Sequence, residues 1–268
     1  MVRGAYTEAI SGASFDESIR LEPTQVAGFT QAYRSLVSES LIGSVAGSRY
    51  QLWSASVEQK LPTRTYLGLG FDELHQRLDR TIGVFDFLDS RAGFPNEILP
   101  SSLAASDQYR EQVYHATIHQ LVGENWSLGV VFQTTRSDFK EQLPELQAAL
   151  RTAAPSALAG LARNAEKHLE SRLHELSLSA LYNHPSGFFA KADANWFSQN
   201  NEGFQDPHQG DDFWQFNVYG GYRFSRNRWE VHCDLLNLGG TDYRLEPLTP
   251  YADLPRGRTL VVRVKFNY

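Results

Sequence analysis

Acidic residues and histidines cluster at two places in the sequence where their side chains could activate a water molecule. The stretches concerned are DPHQGDD, with Asp206, His208, Asp211 and Asp212, and FDFLD, with Asp86 and Asp89. A carboxylate pair or an Asp–His pair can position and deprotonate water, which is the chemistry of a hydrolase. The spacing of these residues does not match a catalytic arrangement, and acidic loop residues are usually solvated. We therefore expect no catalytic residue here and no enzyme activity.

Possible metal ligands are equally sparse. His115 and His119 are four residues apart on a strand-like segment, so they stand about 13 Å apart and cannot chelate one ion together. Asp206, Asp211 and Asp212 offer oxygen ligands for Ca²⁺ but lack the full spacing of a calcium loop. The sequence has no Gly-rich phosphate loop, zinc pattern or nucleophile elbow. Accordingly, neither a metal site nor a cofactor is predicted.

The elements that would carry these residues are strands, because apolar and polar side chains alternate along most of the chain. Clear alternation covers residues 53–59, 65–71, 113–119, 126–132, 175–182, 188–196, 213–224 and 229–238. A short strand near residues 3–7 and a last strand at the carboxy terminus bring the total to about ten. The sequence thus predicts an all-β, antiparallel fold.

The connections between these strands are alternately short and long. Short turns are predicted at residues 60–64, 122–125, 184–187 and 225–228, and long polar loops at about 9–48, 88–107, 139–168, 200–211 and 240–257. Residues 139–170 are rich in Ala and Leu at three-to-four spacing, which predicts one or two helices in a long loop. Short turns on one rim and long loops on the other are typical of a transmembrane β-barrel with periplasmic turns and extracellular loops.

Composition is compatible with this architecture. The 268 residues can form one domain over 1–268, and the mean hydropathy of -0.40 suits a barrel whose strands average out as hydrophilic. We find no run of about eighteen apolar residues typical of a membrane helix. The net charge of -6 argues against a nucleic-acid partner. Residues 1–10 lack the apolar core of a signal peptide, so a longer precursor is expected.

The tryptophans favour a membrane location. All five fall on the apolar face when each strand is assigned by parity: Trp53, Trp126, Trp196, Trp214 and Trp229. Their positions along the strands predict two belts at the two membrane–water interfaces. The opposite face is polar, and its candidate lumen-lining residues are Lys191, Asp193, Asn195, Glu230, His232, Asp234 and Arg263. Replacing Arg263 is expected to leave folding nearly intact.

The last strand has the pattern of an assembly signal. Leu260, Val262, Val264 and Phe266 alternate with polar residues and precede the terminal Tyr268. This resembles the carboxy-terminal signal that outer-membrane barrels present to the barrel-assembly machinery. A soluble β-sandwich also alternates in this way, but it explains neither the Trp belts nor the asymmetric loops.

Residues 234–268 (DLLNLGGTDYRLEPLTPYADLPRGRTLVVRVKFNY) resemble the end of a TonB-dependent receptor barrel. The matching features are LNL before DYR, loop segments rich in Pro and Leu, LPRGRT before the last strand, and the terminal aromatic residue. Residues 58–70 (EQKLPTRTYLGLG) are similar to a periplasmic turn of receptor-like barrels, including a subset that follows tetratricopeptide repeats. The resemblance implies an outer-membrane receptor or channel for a small solute in a Gram-negative-type bacterium.

Receptors of that family have about twenty-two strands, an amino-terminal plug and a short motif that contacts TonB, whereas this chain has about ten predicted strands, no plug and no signal peptide. It is therefore expected to be the carboxy-terminal part of a larger barrel, with lipid and a small solute as partners and the TonB system reached through a missing amino-terminal part. A passive porin-like or export channel is an alternative interpretation. An omptin-like outer-membrane hydrolase is a second, since those enzymes resemble ten-stranded barrels of this length.

Overall fold

Ten long strands follow one another along the chain and pair in sequence order. The computed structural model describes residues 1–10, 25–26, 29–30, 48–88, 97–152, 166–204, 210–224, 229–243, 245 and 257–266. The strands are β1 (Val2–Ile10), β4 (Arg49–Lys60), β5 (Thr65–Leu88), β6 (Glu97–Val122), β7 (Trp126–Gln142), β8 (Glu166–Asn183), β9 (Phe188–Glu202), β10 (Asp212–Phe224), β11 (Trp229–Leu236) and β12 (Thr259–Phe266). Two-residue strands β2 (Gln25–Val26) and β3 (Phe29–Thr30) form a separate pair.

Every neighbouring pair in the ten-stranded sheet is antiparallel, in the order β1-β4-β5-β6-β7-β8-β9-β10-β11-β12. The predicted all-β antiparallel fold and the count of ten strands are confirmed. Within the described residues the sheet is open, with β1 and β12 as its edges and no pairing that joins them. The architecture is consistent with the wall of a β-barrel.

Several strands run much further than the alternation predicted. β5 and β6 have 24 and 26 residues, so the predicted loop at 88–107 is wrong from Glu97 onwards. β7 and β8 likewise extend into the predicted loop at 139–168. One helix, α1 (Pro144–Thr152), confirms part of the predicted helical segment, and residues 153–165 lie outside the described residues. Nowhere in the described part of the chain is there a helix both long and apolar enough for a membrane span.

The described short turns use residues suited to tight reversals. In the turn that joins β8 to β9, the Gly187 amide donates to the His184 carbonyl at 3.0 Å. Gly187 has φ 102°, and a Cβ there would lie 2.3 Å from the Arg223 carbonyl oxygen, so only glycine fits this approach. Residues 225–228, which contain the predicted turn between β10 and β11, are outside the described residues.

Two faces can be followed across the whole sheet, because residues paired across a ladder point to the same side. We call the side that carries Trp53 the outer face and the opposite side the inner face. Trp53 pairs with Tyr6 and Glu73, and the outer face continues in this way through every strand. Large buried side chains lie on the inner face, including Tyr50, Tyr109, Phe139 and Leu169.

Candidate functional site

Aromatic residues mark two levels on the outer face. Near the short turns, the Trp126 and Tyr182 rings are 4.8 Å apart and the Trp229 and Phe266 rings 4.4 Å apart, measured between centroids. Phe188, Tyr222 and Phe224 lie at this same lower aromatic level. All these rings belong to strand ends at the short-turn side of the sheet.

The upper aromatic level lies six to ten residues further along the strands. Here Tyr6 contacts Trp53, with centroids 4.4 Å apart, and Phe71 contacts Tyr114, with centroids 4.8 Å apart. Phe132, Trp196 and Trp214 continue this level on β7, β9 and β10, and Trp196 pairs directly with Trp214. The structure thus places all five tryptophans on one face at two levels, and their contact with a membrane interface stays a prediction.

The outer face between the two levels is apolar and open to the surroundings. The exposed side chains there include Leu69, Ile118, Val130, Leu178, Phe216, Val218, Val231, Leu235, Leu260, Val262 and Val264. On β9 the apolar outer residues run from Phe188 to Trp196, a stretch of nine residues. A transmembrane strand needs about 9–11 residues, so this band has the right extent to cross a bilayer.

Just beyond the upper aromatic level, the polar and apolar sides of the strands change places. On β5 the outer face passes from Phe71 to Glu73 and His75, while the inner face passes from Asp72 to the buried Leu74. The same exchange occurs on β8, where the outer face passes from Leu176 to His174 and Arg172. On the inner face of that strand, Glu175 gives way to the fully buried Leu173.

The exchange extends to β9 and β10. Above Trp196 the outer face of β9 carries Ser198 and Asn200, and its inner face carries the buried Phe197. Phe197 stacks on Phe213 of β10, with ring centroids 5.2 Å apart. The exchange therefore crosses several adjacent strands at the level of the aromatic rings rather than at a break in any one strand.

Below the exchange, the inner face of β8 to β12 holds a string of polar side chains. Arg223 interacts with Glu230 at 3.3 Å and with the Asn183 side-chain oxygen at 3.1 Å, and its guanidinium lies over the Phe189 ring. Glu230 also pairs with His232. Nearby, Lys191 Nζ lies 2.7 Å from Asp193 Oδ2. Positive and negative groups alternate along this wall and neutralise one another.

Arg263 belongs to the same inner surface and holds a buried acid. Its Nη2 donates to Asp234 Oδ2 at 2.6 Å, and the Asp234 side chain is 2% exposed. This contact speaks against the expectation that replacing Arg263 leaves folding nearly intact, since replacement would leave the buried carboxylate without this cation. Asn195 also lies on the inner face. The structure thus places all seven predicted lumen-lining residues on one face, and their exposure to a passing solute stays a prediction.

On β5 to β8 the inner face combines glycines with histidines. A Cβ on Gly70 would lie 2.2 Å from the His115 ring, and one on Gly129 would lie 2.9 Å from the His119 ring. The two imidazoles thus lie against the backbone of neighbouring strands, where glycine leaves room for them. They act as lining groups of the wall and do not converge on a common ion.

The inner face above the exchange contains a buried charged cluster next to its apolar residues. Arg80 lies 2.9 Å from Asp107 and 3.1 Å from Glu141. Burial raises the pKa of Asp107 to about 6, opposed by Arg80 and reinforced by Glu141. One cation between two carboxylates leaves the cluster negative when both acids are ionised.

Among the described residues, one group has suitable ligands for a metal ion. The ligand atoms of Asp138, His168 and Glu170 lie within 4.8 Å of one another on the outer face of β7 and β8. Lys140 is 3.7 Å from Asp138, and Arg136 is 3.2 Å from Glu170. These cations already balance the carboxylates, so the group is an ion-pair network between β7 and β8.

Some of the predicted site residues lie outside the described residues, and others lie at the start of β10. Asp89, Asp206, His208 and Tyr268 are outside the described residues. Asp211 precedes β10 and Asp212 is its first residue, which accepts a 3.0 Å hydrogen bond from the Trp196 indole. The Asp212 carboxylate therefore supports an outer-face ring. An Asp–His pair is formed by Asp138 and His168 at 2.7 Å, but neither residue belongs to the two predicted clusters, and the expected lack of enzyme activity stays a prediction.

Comparisons with known proteins add little. No protein-family model matches the chain, and no curated protein matches it. The fold is similar to the crystal structure of a Pseudomonas aeruginosa FadL homologue, with 14% sequence identity and a TM-score of 0.42. The matched region covers 71% of this chain and 49% of that chain, so the chain spans about half the length of the FadL homologue. At this identity and score, the likeness assigns no substrate or partner.

Proposed function

We propose that the chain forms part of the wall of an outer-membrane β-barrel that conducts a small solute. The observation that carries this proposal is the exchange of polar and apolar faces beyond the upper aromatic level. Below that level apolar side chains point outward, as lipid requires, and above it polar side chains point outward, as water requires. Tryptophan and tyrosine at both levels match the preference of these residues for membrane–water interfaces.

A water-soluble sheet gives no reason for this arrangement. In a sandwich, one face of each strand is buried along its whole length and the other is hydrated. Here Leu69 and Val262 are 64% and 63% exposed, although they belong to a continuous apolar band. Exposed apolar bands of this size mark a surface that meets protein or lipid. Lipid explains why the band is flanked by aromatic rings at both of its limits.

The inner face supports the conduction of a solute. Its polar groups, such as Lys191, Asp193 and Glu230, are satisfied largely by one another, and a water-filled lumen accommodates the remainder. The wall presents no single sign of charge here, because Arg223, Arg263 and their acidic partners balance. A small neutral or zwitterionic solute fits such a lining better than a strongly charged one.

Within its described residues the sheet has two open edges, β1 and β12, that a closed barrel would have to pair. Lipid cannot satisfy the main-chain groups of an edge strand, so strands in a membrane must be paired. We infer that the edges formed by β1 and β12 pair with further strands in the assembled barrel. A TonB-dependent receptor is the finer form of the proposal, and it is supported by the resemblance of residues 58–70 and 234–268 to that family.

Conduction can be tested with a matched pair of substitutions on β9. Asn195 lies on the inner face and Ala194 on the outer face, within the same band. Osmotic swelling of liposomes that contain the assembled barrel should be slowed by Asn195→Trp in this chain, because the indole narrows the lumen. Ala194→Trp should leave swelling unchanged, since the added ring enters lipid. Tight vesicles with the original chain, or equal effects of the two variants, would contradict the proposed channel.

A further inference from the structure

The outer face of β4 to β7 carries a block of mainly polar side chains that begins at Trp53 in the upper aromatic level and extends beyond it. Three cross-strand rows of four residues compose it, and we call this set the basic block. The rows are Trp53-Glu73-Gln112-Arg136, Gln51-His75-Arg110-Asp138 and Arg49-Arg77-Gln108-Lys140. Phe71 and Tyr114 lie one row closer to the membrane band. If the aromatic level is the membrane interface, the basic block lies at the height of lipid headgroups.

Cationic side chains are concentrated in this block. It contains five Arg and Lys residues, and each of them has a carboxylate in contact, from Glu73 and Asp138 within the rows and from Glu8, Asp79 and Glu170 beside them. The corresponding outer positions on β8 and β9 are mixed, with Arg172 followed by Glu170 and Asn200 followed by Glu202. The cations therefore favour one side of the sheet.

Two pairs of arginines face each other directly across ladders. Arg49 pairs with Arg77 in the third row, and Arg136 of the first row pairs with Arg172 of β8. Like charges directly opposite each other destabilise a sheet. Nearby carboxylates, Glu8 for Arg49 and Asp79 for Arg77, relieve the repulsion in part. A bound anion that bridges each pair would relieve the remainder.

The block also has the shape of a binding site. Ten of its residues, all except Trp53 and Glu73, line a groove of about 550 Å³. Guanidinium groups bind phosphate through paired, charge-assisted hydrogen bonds. The amides of Gln51, Gln108 and Gln112 add donors and acceptors suited to ester or sugar oxygens. Together these groups match a phosphate attached to a polar headgroup.

We propose that the basic block binds the phosphate-bearing headgroup of a lipid in the surrounding leaflet. This inference rests on the proposed function, because only a membrane-embedded wall brings headgroups to this height. The existing ion pairs do not prevent binding: Arg49, Arg77 and Arg110 have side chains that are 62%, 66% and 52% exposed. Exposed ion pairs are weak, so a phosphate with up to two charges can compete with the carboxylates.

Titration with a water-soluble short-chain lipid tests the site. The probe is dihexanoyl phosphatidic acid, and binding to the full chain in neutral maltoside micelles is followed by calorimetry. The double variant Arg49→Gln/Arg77→Gln should weaken binding by about tenfold or more, since charge-assisted hydrogen bonds are lost. Lys60→Gln removes one cation at the opposite end of β4 and should change affinity less than about twofold. Glu73→Gln, which removes a competing carboxylate, should strengthen binding.

Two further probes identify the source of the phosphate. Dihexanoyl glycerol lacks the phosphate and inorganic phosphate lacks the lipid, so both should bind more weakly than phosphatidic acid. Equal affinity of the original chain and Arg49→Gln/Arg77→Gln for phosphatidic acid would overturn the headgroup site. Equal binding of the phosphate-free lipid, or of inorganic phosphate, would overturn it as well.

The proposed function fails in a different way. A chain that stays soluble without detergent and shows no heat-dependent migration would contradict the membrane wall. Because the short-chain lipid dissolves in water, the same titration can still be made on that soluble protein. Failure of the membrane wall and failure of the headgroup site can therefore be distinguished.

Discussion

The membrane band can be tested by placing the same charge at two outer-face positions of β6. Ile118 lies within the apolar band, where it pairs with Leu67 and Val130, and its side chain is 48% exposed. Gln108 lies on the same face of the same strand but beyond the upper aromatic level, in the basic block. The substitutions Ile118→Arg and Gln108→Arg therefore differ mainly in the medium that the new guanidinium meets.

The expected magnitudes are far apart. In lipid, an arginine near the middle of a barrel strand costs about 2–4 kcal/mol, which is roughly a thirty- to thousandfold change in the folding equilibrium. In water, substitution of a half-exposed residue usually changes stability by less than about 0.5 kcal/mol. Gln108→Arg should stay within that smaller limit, apart from mild repulsion with Arg77, its partner across the ladder.

Urea titration of the full chain in phospholipid vesicles measures both variants, with tryptophan fluorescence as the signal. Ile118→Arg should lower the midpoint clearly, and Gln108→Arg should leave it nearly unchanged. Equal stability of the two variants would show that the apolar band does not meet lipid. A loss of stability confined to Gln108→Arg would also contradict the placement of the membrane band, because Ile118 would then lie in water at the level where we place lipid.

Three further outcomes follow from particular contacts. Burial raises the pKa of Asp107 from 3.8 to about 6 in the folded chain. Between these pH values the folded state keeps a proton that the unfolded state has lost. The free energy of unfolding should therefore fall by about 3 kcal/mol as pH rises through this range. Asp107→Asn should abolish most of this pH dependence in urea titrations, and an unchanged slope would contradict the assignment. Arg263→Val should lower the free energy of unfolding by about 1–3 kcal/mol, because it leaves the Asp234 carboxylate unpaired. Asp234→Asn in the same molecule should recover most of that loss. Additive losses in the double variant would contradict the ion pair. In a Cys233→Ala background of the larger barrel expected from the sequence, an impermeant maleimide should label Glu145→Cys on intact cells. It should reach Ser186→Cys only after permeabilisation, and the reverse order would invert the topology.

The sequence was sufficient for the fold class because period-two alternation is strong between the two aromatic levels. It located ten strands and the side on which Trp53, Trp126 and Trp229 lie. What it missed was the length of the strands. Beyond Phe71 the apolar positions of β5 move from odd to even numbers, to Leu74 and Leu78, although the strand continues.

That change of phase resembles the end of a strand if the whole strand is assumed to lie in lipid or the whole strand in water. A strand that leaves lipid for water exchanges its polar and apolar sides without any break in its hydrogen bonds. The same shift on β8, from even residues such as Leu176 to odd residues such as Leu173, was available in the sequence. Adjacent shifts at one level would have indicated the membrane boundary.

Other features depend on contacts that pattern alone does not specify. The alternation stops at Asn237 because this residue adopts φ 51° and its side chain bonds both the amide and the carbonyl of Thr241. The basic block could not be found either, since its residues come from four strands whose register has to be known. Only the ladder shows that Arg49 and Arg77 are neighbours.

A nitroxide scan along β9 tests whether the sheet crosses a membrane with its Trp-bearing face toward lipid. Spin labels would be placed singly from Phe188 to Glu202 in the Cys233→Ala background, and the labelled barrel would be reconstituted in liposomes. We predict high oxygen accessibility at Ala190, Ala192 and Ala194, and low oxygen accessibility at the inner-face positions between them. At Ser198 and Asn200 the labels should instead be accessible to a water-soluble nickel chelate. Uniform accessibility along the strand, or chelate access at Ala192, would contradict the placement of this face in lipid.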